Sequence, residues 1–565
     1  MRVSAARGIG ALRRAGEARR AFSGFLSREA ELAEPAVGPM WTPPRSGHHV
    51  RMTTESREAA SAGVIGRGLP VGGGPPWRAV AVIAIAAVAL EMAVSGRYGY
   101  VRDELYFLAA GQHLAVGYVD QPALTPLLAR LGSVLGGNTV VGLRVVPALC
   151  LAAMIVLTAA ISRLLGAGRT GQMLAALAAA TCGEYIAAGH ELTTTPADFV
   201  FWALTLYLVA RLLASRDPRW WLAIGGCVGV ASEAKWNIAF LAVALLAAFA
   251  VTDARSLLLS RYLAIGAVLA AALAAPDLIW QAMHGWPAFD VFRGLQTQAM
   301  HNRVTYWPAQ IIFTGIALTP IWVAGLLWTL RSAAARAFRP LAIGCGLAIL
   351  LQFVLGGKPY YSGAAYTVFL AAGCVPLEGW LALRRRFGGR IKPAAVMAAG
   401  MLVSAAIVLP AALPILPAAA LRTVPLQKIN YDLAESIAWP KQVALVAREY
   451  DALPPAERRL TTILTGNYGE AGAIERYRAT FGLPEAFCGG NNFWLWGPPP
   501  AGDTAAIAVN VNPALLRREF RHVRLVATFW NGLGVSDDEE GVQVFLATGL
   551  RTSWATAWPA FRDYS

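Results

Sequence analysis

RDELYFLAAGQHLAVGYVDQPALTPLLARL, residues 102–131, lies between two apolar runs, 77–95 and 139–162, and is itself neither a membrane span nor a hydrophilic loop. Arg102, Asp103 and Glu104 open it directly after the first run. Carboxylates there are costly near lipid unless water, a cation or a function retains them. Leu105, Leu108 and Ala109 share one helical face, as suits a helix lying in the membrane interface. Asp120-Gln121-Pro122 then reads as a turn, and Thr125-Pro126 as the restart of a helix. Composition admits a plainer account as well, an interfacial helix whose acidic first turn complements its own dipole.

Outward from this stretch the chain is a membrane text. Of 565 residues 56% are hydrophobic and 15% charged, against roughly 25% charged in soluble domains. Mean hydropathy is +0.48. These values exclude an ordinary soluble enzyme and a disordered scaffold. Apolar runs of about 17–25 residues, the length that crosses a bilayer, recur at 77–95, 139–162, 171–189, 196–213, 219–232, 236–252, 262–280, 306–330, 340–356, 363–382 and 393–416. The expectation is a polytopic α-helical membrane protein with about eleven transmembrane helices over 77–417.

Residues 1–76 are rich in Arg, Ala, Gly and Ser and cannot bury a core, which predicts a disordered cytoplasmic tail. No apolar segment follows the early arginines, so the tail does not read as a signal peptide. Met40 and Met52 read as alternative starts. Beyond Pro417 hydrophobicity falls, and 418–565 has the size of a domain. It predicts a helix over 432–450, a strand at 461–465 running into a helix at 469–480, and strands at 505–511, 523–529 and 542–547. With an odd number of spans this α/β domain is extracytoplasmic.

Lys and Arg number 49 against 34 Asp and Glu, a net charge of +15. In a soluble protein that excess suggests nucleic acid. Here it gathers in loops: Arg163 and Arg169; Arg211, Arg216 and Arg219; Arg255 and Arg261; Arg331, Arg336 and Arg339; Arg384, Arg385, Arg386, Arg390 and Lys392. All lie on one side if the runs alternate, and the positive-inside rule makes that side cytoplasmic. No nucleic-acid partner is expected. The opposite loops carry carboxylates, single cations, His, Tyr and Trp, so the chemistry is expected to face outward. The six cysteines show neither C-x-x-C nor metal-ligand spacing, and indicate no disulfide framework and no zinc site.

The stretch 102–131 resembles the first extracytoplasmic loop of the family 39-type GT-C glycosyltransferases, which include protein O-mannosyltransferases and the aminoarabinose transferase acting on lipid A. The resemblance continues in order through GHELTTTPADFVFW (189–202), EAKW (233–236), PDLIWQAMHGWP (276–287), GGKPYY (356–361), TGNYGEAGAI (465–474) and NNFWLWGPP (491–499). It implies the GT-C fold and transfer of a sugar from a polyprenyl-phosphate donor to a hydroxyl acceptor on a protein, lipid or cell-wall glycan, at the outer face. It also implies that Asp103 is the catalytic carboxylate, with Glu104 beside it to orient or hydrogen-bond.

That assignment suits the chemistry. An attacking hydroxyl needs a base within hydrogen-bond reach. The leaving lipid phosphate is already a stable anion, so one carboxylate suffices where glycosidases use two. The phosphate in turn needs fixed positive charge, for which the outward candidates are Arg102, Lys235, Arg303 and Lys358. GGKP is not a P-loop, since Pro follows the lysine. Asp120, Gln121, His190, Asp198, Tyr360 and Tyr361 are the candidate substrate-binding residues. Glu191 is read as a solvated capping acid, whereas Asp198 lies inside an apolar run and is harder to dismiss.

Some members of that family bind a divalent cation, and no spacing here is specific enough to name ligands. Relatives often carry His where Gln121 stands and Pro where Ala123 stands, a departure that bears on specificity. NNFWLWGPP is close to bacterial members, which suggests a bacterial inner membrane. The alternative from another class is a transporter or flippase of lipid-linked or envelope substrates. It predicts paired repeats with ionisable residues at mid-membrane. The sequence shows no inverted repeat, and its ionisable residues gather at one face.

Overall fold

In lipid every backbone N–H and C=O must be bonded within the segment, so apolar runs become helices, and the computed structural model shows where they stop. It describes residues 76–386 and 393–564. The tail expected over 1–76 lies, but for its last residue, outside the described residues, as do Arg390 and Lys392.

In chain order, α1 (Trp77–Val94) is followed by α2 (Arg102–Ala110) and α3 (Leu124–Leu135), the two helices of the stretch quoted above. α4 (Val140–Leu164) starts where the Thr139 hydroxyl accepts from the Gly142 N–H at 3.0 Å. The third apolar run is broken at Thr181-Cys182 into α5 (Arg169–Ala180) and α6 (Gly183–His190). α7 (Thr194–Ser215), capped by Thr193, precedes two short helices, α8 (Trp220–Ser232) and α9 (Ile238–Ala250). Next come α10 (Arg261–Met283) and the short α11 (Ala288–Gln296). α12 (Ala299–Thr314) and α13 (Thr319–Arg331) meet at 104°, because Gly315 takes a φ of +102° that other residues resist. α14 (Arg339–Leu355), a 3-10 helix (Pro359–Ala365), α15 (Tyr366–Arg386) and α16 (Pro393–Ala412) complete the bundle.

The expected count of about eleven spans is not matched by full-length helices. Among the described residues seven helices are long and apolar enough to cross a membrane, or eight if the bent pair is one span. α8 and α9 have 13 residues each, roughly 20 Å at the α-helical rise, short of a bilayer core of about 30 Å. Their brevity is what puts Glu233-Ala234-Lys235-Trp236 at the foot of a hairpin. The arginine-bearing connections meet one another at the other ends of these helices. There Arg336 pairs with Asp253 at 2.8 Å, and Trp221 Nε1 donates to the Leu257 carbonyl at 3.0 Å.

Past Pro417 the chain forms α17 (Asp432–Glu435), α18 (Trp439–Asp451), α19 (Pro455–Arg458), β1 (Thr461–Thr465), α20 (Tyr468–Phe481), β2 (Ala486–Cys488) and α21 (Asn491–Leu495). β3 (Ala505–Val509), α22 (Pro513–Glu519), β4 (Phe520–Thr528), β5 (Gln543–Leu550) and α23 (Trp554–Ala557) follow. The single helix expected over 432–450 is two, because Ala438 sits at a φ of +68° between them. The sheet order is β2-β1-β3-β5-β4. β1 is parallel to β2 and β3, while β5 is antiparallel to both β3 and β4. β1 and β3 are buried at every residue, as central strands covered on both faces are. Edge strand β4 carries Arg521, His522 and Arg524, which discourage further pairing.

One face of this sheet shares its core with α2. Leu105, Phe107 and Leu108 pack in one apolar cluster with Val443 and Val446 of α18, Ile463 of β1 and Ile474 of α20. Leu516, Phe520, Trp554 and Phe561 cover the other face.

Candidate active site

Three consecutive charged residues begin α2, and successive side chains on a helix point about 100° apart. Each therefore meets a different environment. Glu104 points inward and is fully buried. Its Oε2 accepts from the Val101 N–H at 3.0 Å, closing the helix start, and from Arg144 Nη2 at 2.8 Å. Its Oε1 accepts from Arg144 Nε at 2.9 Å and from the Leu192 N–H at 3.1 Å. Arg144 also donates to the carbonyls of Ser95 and Gly99, both at 2.8 Å, and to His190 Nε2 at 3.0 Å. A nitrogen that accepts from Arg144 carries no proton, so Nδ1 holds it and donates to Glu91 Oε2 at 3.2 Å.

Glu104 was expected to orient or hydrogen-bond beside the catalytic carboxylate, and His190 to bind substrate. Both are committed to a buried Glu91–His190–Arg144–Glu104 chain, with every Glu104 oxygen already paired. A fully paired buried carboxylate has no capacity left for an acceptor.

Arg102 points the other way, into the C-terminal region. Its Nη2 lies 2.9 Å from Glu435, 3.1 Å from Asp538 and 3.5 Å from Glu539. Burial disfavours its charge, but Glu435, Glu539 and Asp538 outweigh burial and hold it above the ordinary arginine range. The expectation that Arg102 meets the donor phosphate is corrected here, because three carboxylates already neutralise it. Arg303 is also elsewhere. It donates to the Val354 carbonyl at 2.8 Å, and no hydrogen bond or ion pair joins it to Asp103's neighbours among the described residues.

Asp103 lies between these two directions, half-buried. Tyr468 of α20 donates its hydroxyl to Oδ1 at 3.1 Å. No hydrogen bond engages Oδ2 among the described residues. Lys235 and Lys358 come to the same place from two different connections. The Lys235 ammonium stands 4.3 Å from the Tyr361 ring centre and 5.5 Å from that of Tyr360, and Lys358 stands 6.0 Å from Tyr360. Neither lysine forms an ion pair among the described residues. Burial, reinforced by Lys358, lowers Lys235 to about 8 against the pull of Asp198 and Asp103.

The polar floor beneath holds these connections in register. Asn237 Nδ2 donates to Asp198 Oδ2 at 2.9 Å and to the Tyr361 carbonyl at 2.7 Å, and Gln352 Nε2 donates to Asn237 Oδ1. Asp198 is thus a fully buried anchor beneath Lys235, with Oδ1 unpartnered among the described residues.

Glu191 is not the solvated acid expected. It is hydrogen-bonded to Asp432 of α17; burial raises both, Asp432 to about 6 and Glu191 well above its ordinary range, so the pair holds a proton near neutrality. Asp120 is held by Tyr106 at 2.7 Å and by Asn491 Nδ2 at 3.2 Å, and burial raises it to about 7. Gln121 is buried, its side-chain amide without a partner among the described residues. No group of three or more His, Cys, Asp or Glu among the described residues is arranged to hold a metal ion. The cationic groups at hand are the two lysines.

Arg144, Asn237, Asp432 and Tyr468 escape the sequence reading. Arg144 sits inside an apolar run, the one signal that flags it. Tyr468 falls within the TGNYGEAGAI motif, but nothing local tells that it meets Asp103, 365 residues away.

A family profile described as dolichyl-phosphate-mannose-protein mannosyltransferase matches residues 120–280. ArnT from Cupriavidus metallidurans, solved bound to undecaprenyl phosphate, shares the fold at a TM-score of 0.50 and 16% identity, over 82% of this chain and 97% of that one. The mycobacterial arabinofuranosyltransferase AftD matches at a TM-score of 0.45 and 15% identity, over 85% of this chain and 40% of that one. The Archaeoglobus fulgidus oligosaccharyltransferase matches at 0.43 and 15%, over 70% and 63%. No curated protein matches the chain in sequence. The profile match, over less than a third of the chain, and the fold shared with ArnT make the chain similar to the family 39 enzymes and to the GT-C glycosyltransferases.

Proposed function

We propose that the protein transfers a sugar from a polyprenyl-phosphate donor to a hydroxyl acceptor, with inversion, using Asp103 as general base. The observation that carries this reading is a carboxylate with one oxygen that no hydrogen bond engages, and two lysines without an ion pair, among the described residues: Lys235 feels the charge of Asp103 and shares the Tyr360 ring with Lys358. The matching family profile is named for a dolichyl-phosphate donor, and ArnT binds undecaprenyl phosphate, both polyprenyl phosphates.

Asp103 takes the acceptor's proton as its oxygen attacks the anomeric carbon. The bond from that carbon to the phosphate oxygen breaks, and its electron pair leaves with the lipid phosphate. Lys235 and Lys358 meet the charge that develops there, in a site where burial strengthens the interaction. Tyr360 and Tyr361 hold the two ammonium groups in place through their ring faces.

In this reading 77–417 is the catalytic membrane part, 418–565 is extracytoplasmic, and the arginine-bearing connections face the cytoplasm of a bacterial inner membrane. The acceptor is a protein, a lipid or a cell-wall glycan. The test uses purified protein in liposomes with a panel of polyprenyl-phosphate sugars and cell-envelope extract as acceptor source. Lipid-phosphate release from one donor, lost in Asp103→Asn, supports the reading and names the sugar. Release that survives Asp103→Asn overturns the assignment of the base.

A further inference from the structure

We propose that Tyr468 is a positioning residue for this reaction. Its phenol holds Oδ1 of Asp103, so that Oδ2 is the oxygen that receives the acceptor's proton. The proposal rests on the reading of Asp103 as base, and it makes the C-terminal region part of the active site.

The placement of the phenol is built in at several levels. Tyr468 is the first residue of α20, directly after the carboxyl end of β1. The chain leaves β1 for β2 on one side and returns as β3 on the other. Sites in open α/β sheets form at such a reversal, beyond the carboxyl ends of the strands. The helix start is fixed by Asn467, whose Oδ1 accepts from the Glu470 N–H at 2.9 Å while Glu470 accepts from the Asn467 N–H at 3.1 Å.

α20 then lies directly on α2. A Cβ at Gly472 would stand 2.8 Å from the Leu105 carbonyl carbon, so only glycine permits this approach. The Tyr468 ring rests against Tyr106 at 5.0 Å between centres. Arg102, paired with Glu435, Asp538 and Glu539, pins the two regions together one residue before Asp103.

A donor on one carboxylate oxygen fixes the side-chain rotamer and leaves the other oxygen to face the acceptor. The charge of Asp103, with burial, keeps Tyr468 protonated and so able to donate. Other groups also face Asp103. The carboxyls are Asp120, Asp432 and Glu435, and the ammonium is Lys235. The phenols Tyr360, Tyr361 and Tyr431 complete the set. Among the described residues none of these is hydrogen-bonded to Asp103, so Tyr468→Phe removes the one direct donor found there and leaves the field of the others in place.

The experiment compares native protein and Tyr468→Phe in liposomes, reading kcat, donor affinity and the thermal unfolding midpoint separately. Loss of the donor frees the Asp103 carboxylate to leave the attacking geometry, so kcat is expected to fall about tenfold. Donor affinity and the unfolding midpoint stay native. Gly472→Ala, which wedges α20 off α2 while keeping the phenol, is expected to lower kcat in the same way, and it serves if the Phe variant does not fold. Native kcat in Tyr468→Phe overturns the proposal. Asp103→Asn, run alongside, separates the two readings: if it retains turnover the base itself is misassigned, whereas a dead Asp103→Asn beside a fully active Tyr468→Phe refutes only the role of Tyr468.

Discussion

Asp103 and Glu104 are chemically alike and adjacent on one helical turn, yet the two sides of α2 treat them differently. Behind the helix Glu104 is closed off, with both oxygens bonded to Arg144 and to backbone N–H groups. In front, Asp103 has one oxygen held by Tyr468 and one that no hydrogen bond engages among the described residues, with Lys235 close enough to feel its charge. A carboxylate whose acceptor sites are all filled stabilises structure; one left partly unfilled beside fixed cations can do proton chemistry. The pair Asp-Glu is therefore divided between a closed anchor and a partly open carboxylate, which the proposed function uses as its base.

The largest effect that tests this division is on turnover. Asp103→Asn is expected to lower kcat by on the order of 10²–10⁴, the usual contribution of a general base, while donor binding measured by titration stays native. Removing the cation behind the helix should act on stability first. Arg144→Ala leaves Glu104 as an uncompensated buried charge and is expected to cost about 3–5 kcal/mol, read as a fall in the thermal unfolding midpoint in detergent. A stable but inactive Arg144→Ala would mean that the rear side takes part in the chemistry, and the contrast would collapse.

Smaller effects belong to the lysines. Lys235→Ala and Lys358→Ala are each expected to weaken donor binding about tenfold, as loss of one charge-assisted contact does. Unchanged affinity in both would place the phosphate elsewhere. The smallest effect concerns pH. Lys235 is lowered to about 8 by burial and by Lys358, so its charge is present below that pH and lost above it. Donor affinity should decline on the alkaline side by no more than Lys235→Ala itself causes, and Lys235→Arg, which stays charged, should abolish the decline.

Much of the membrane part was legible because its signal is local. Each apolar run is helical, and the ordered motifs from 102 to 499 carry the resemblance, which the family profile matches over 120–280. The count of spans was not legible, since hydropathy averages over a break at Thr181-Cys182, over two 13-residue helices and over the bend at Gly315. Asp103, Lys235 and Lys358 were candidates because charge beside an apolar run stands out. Arg102 and His190 stood out for the same reason and are structural, because composition does not say which partner neutralises a charge.

By itself, the sequence determined that this is a multi-pass helical membrane protein with its arginines gathered in one set of connections, because bilayer length and the cost of charge in lipid are properties of each segment alone. Only the tertiary structure decided which of two adjacent carboxylates is closed off, and that a tyrosine 365 residues away holds the other. Those facts depend on contacts between distant segments, and side-chain partners across such distances are set by packing, which no local pattern encodes.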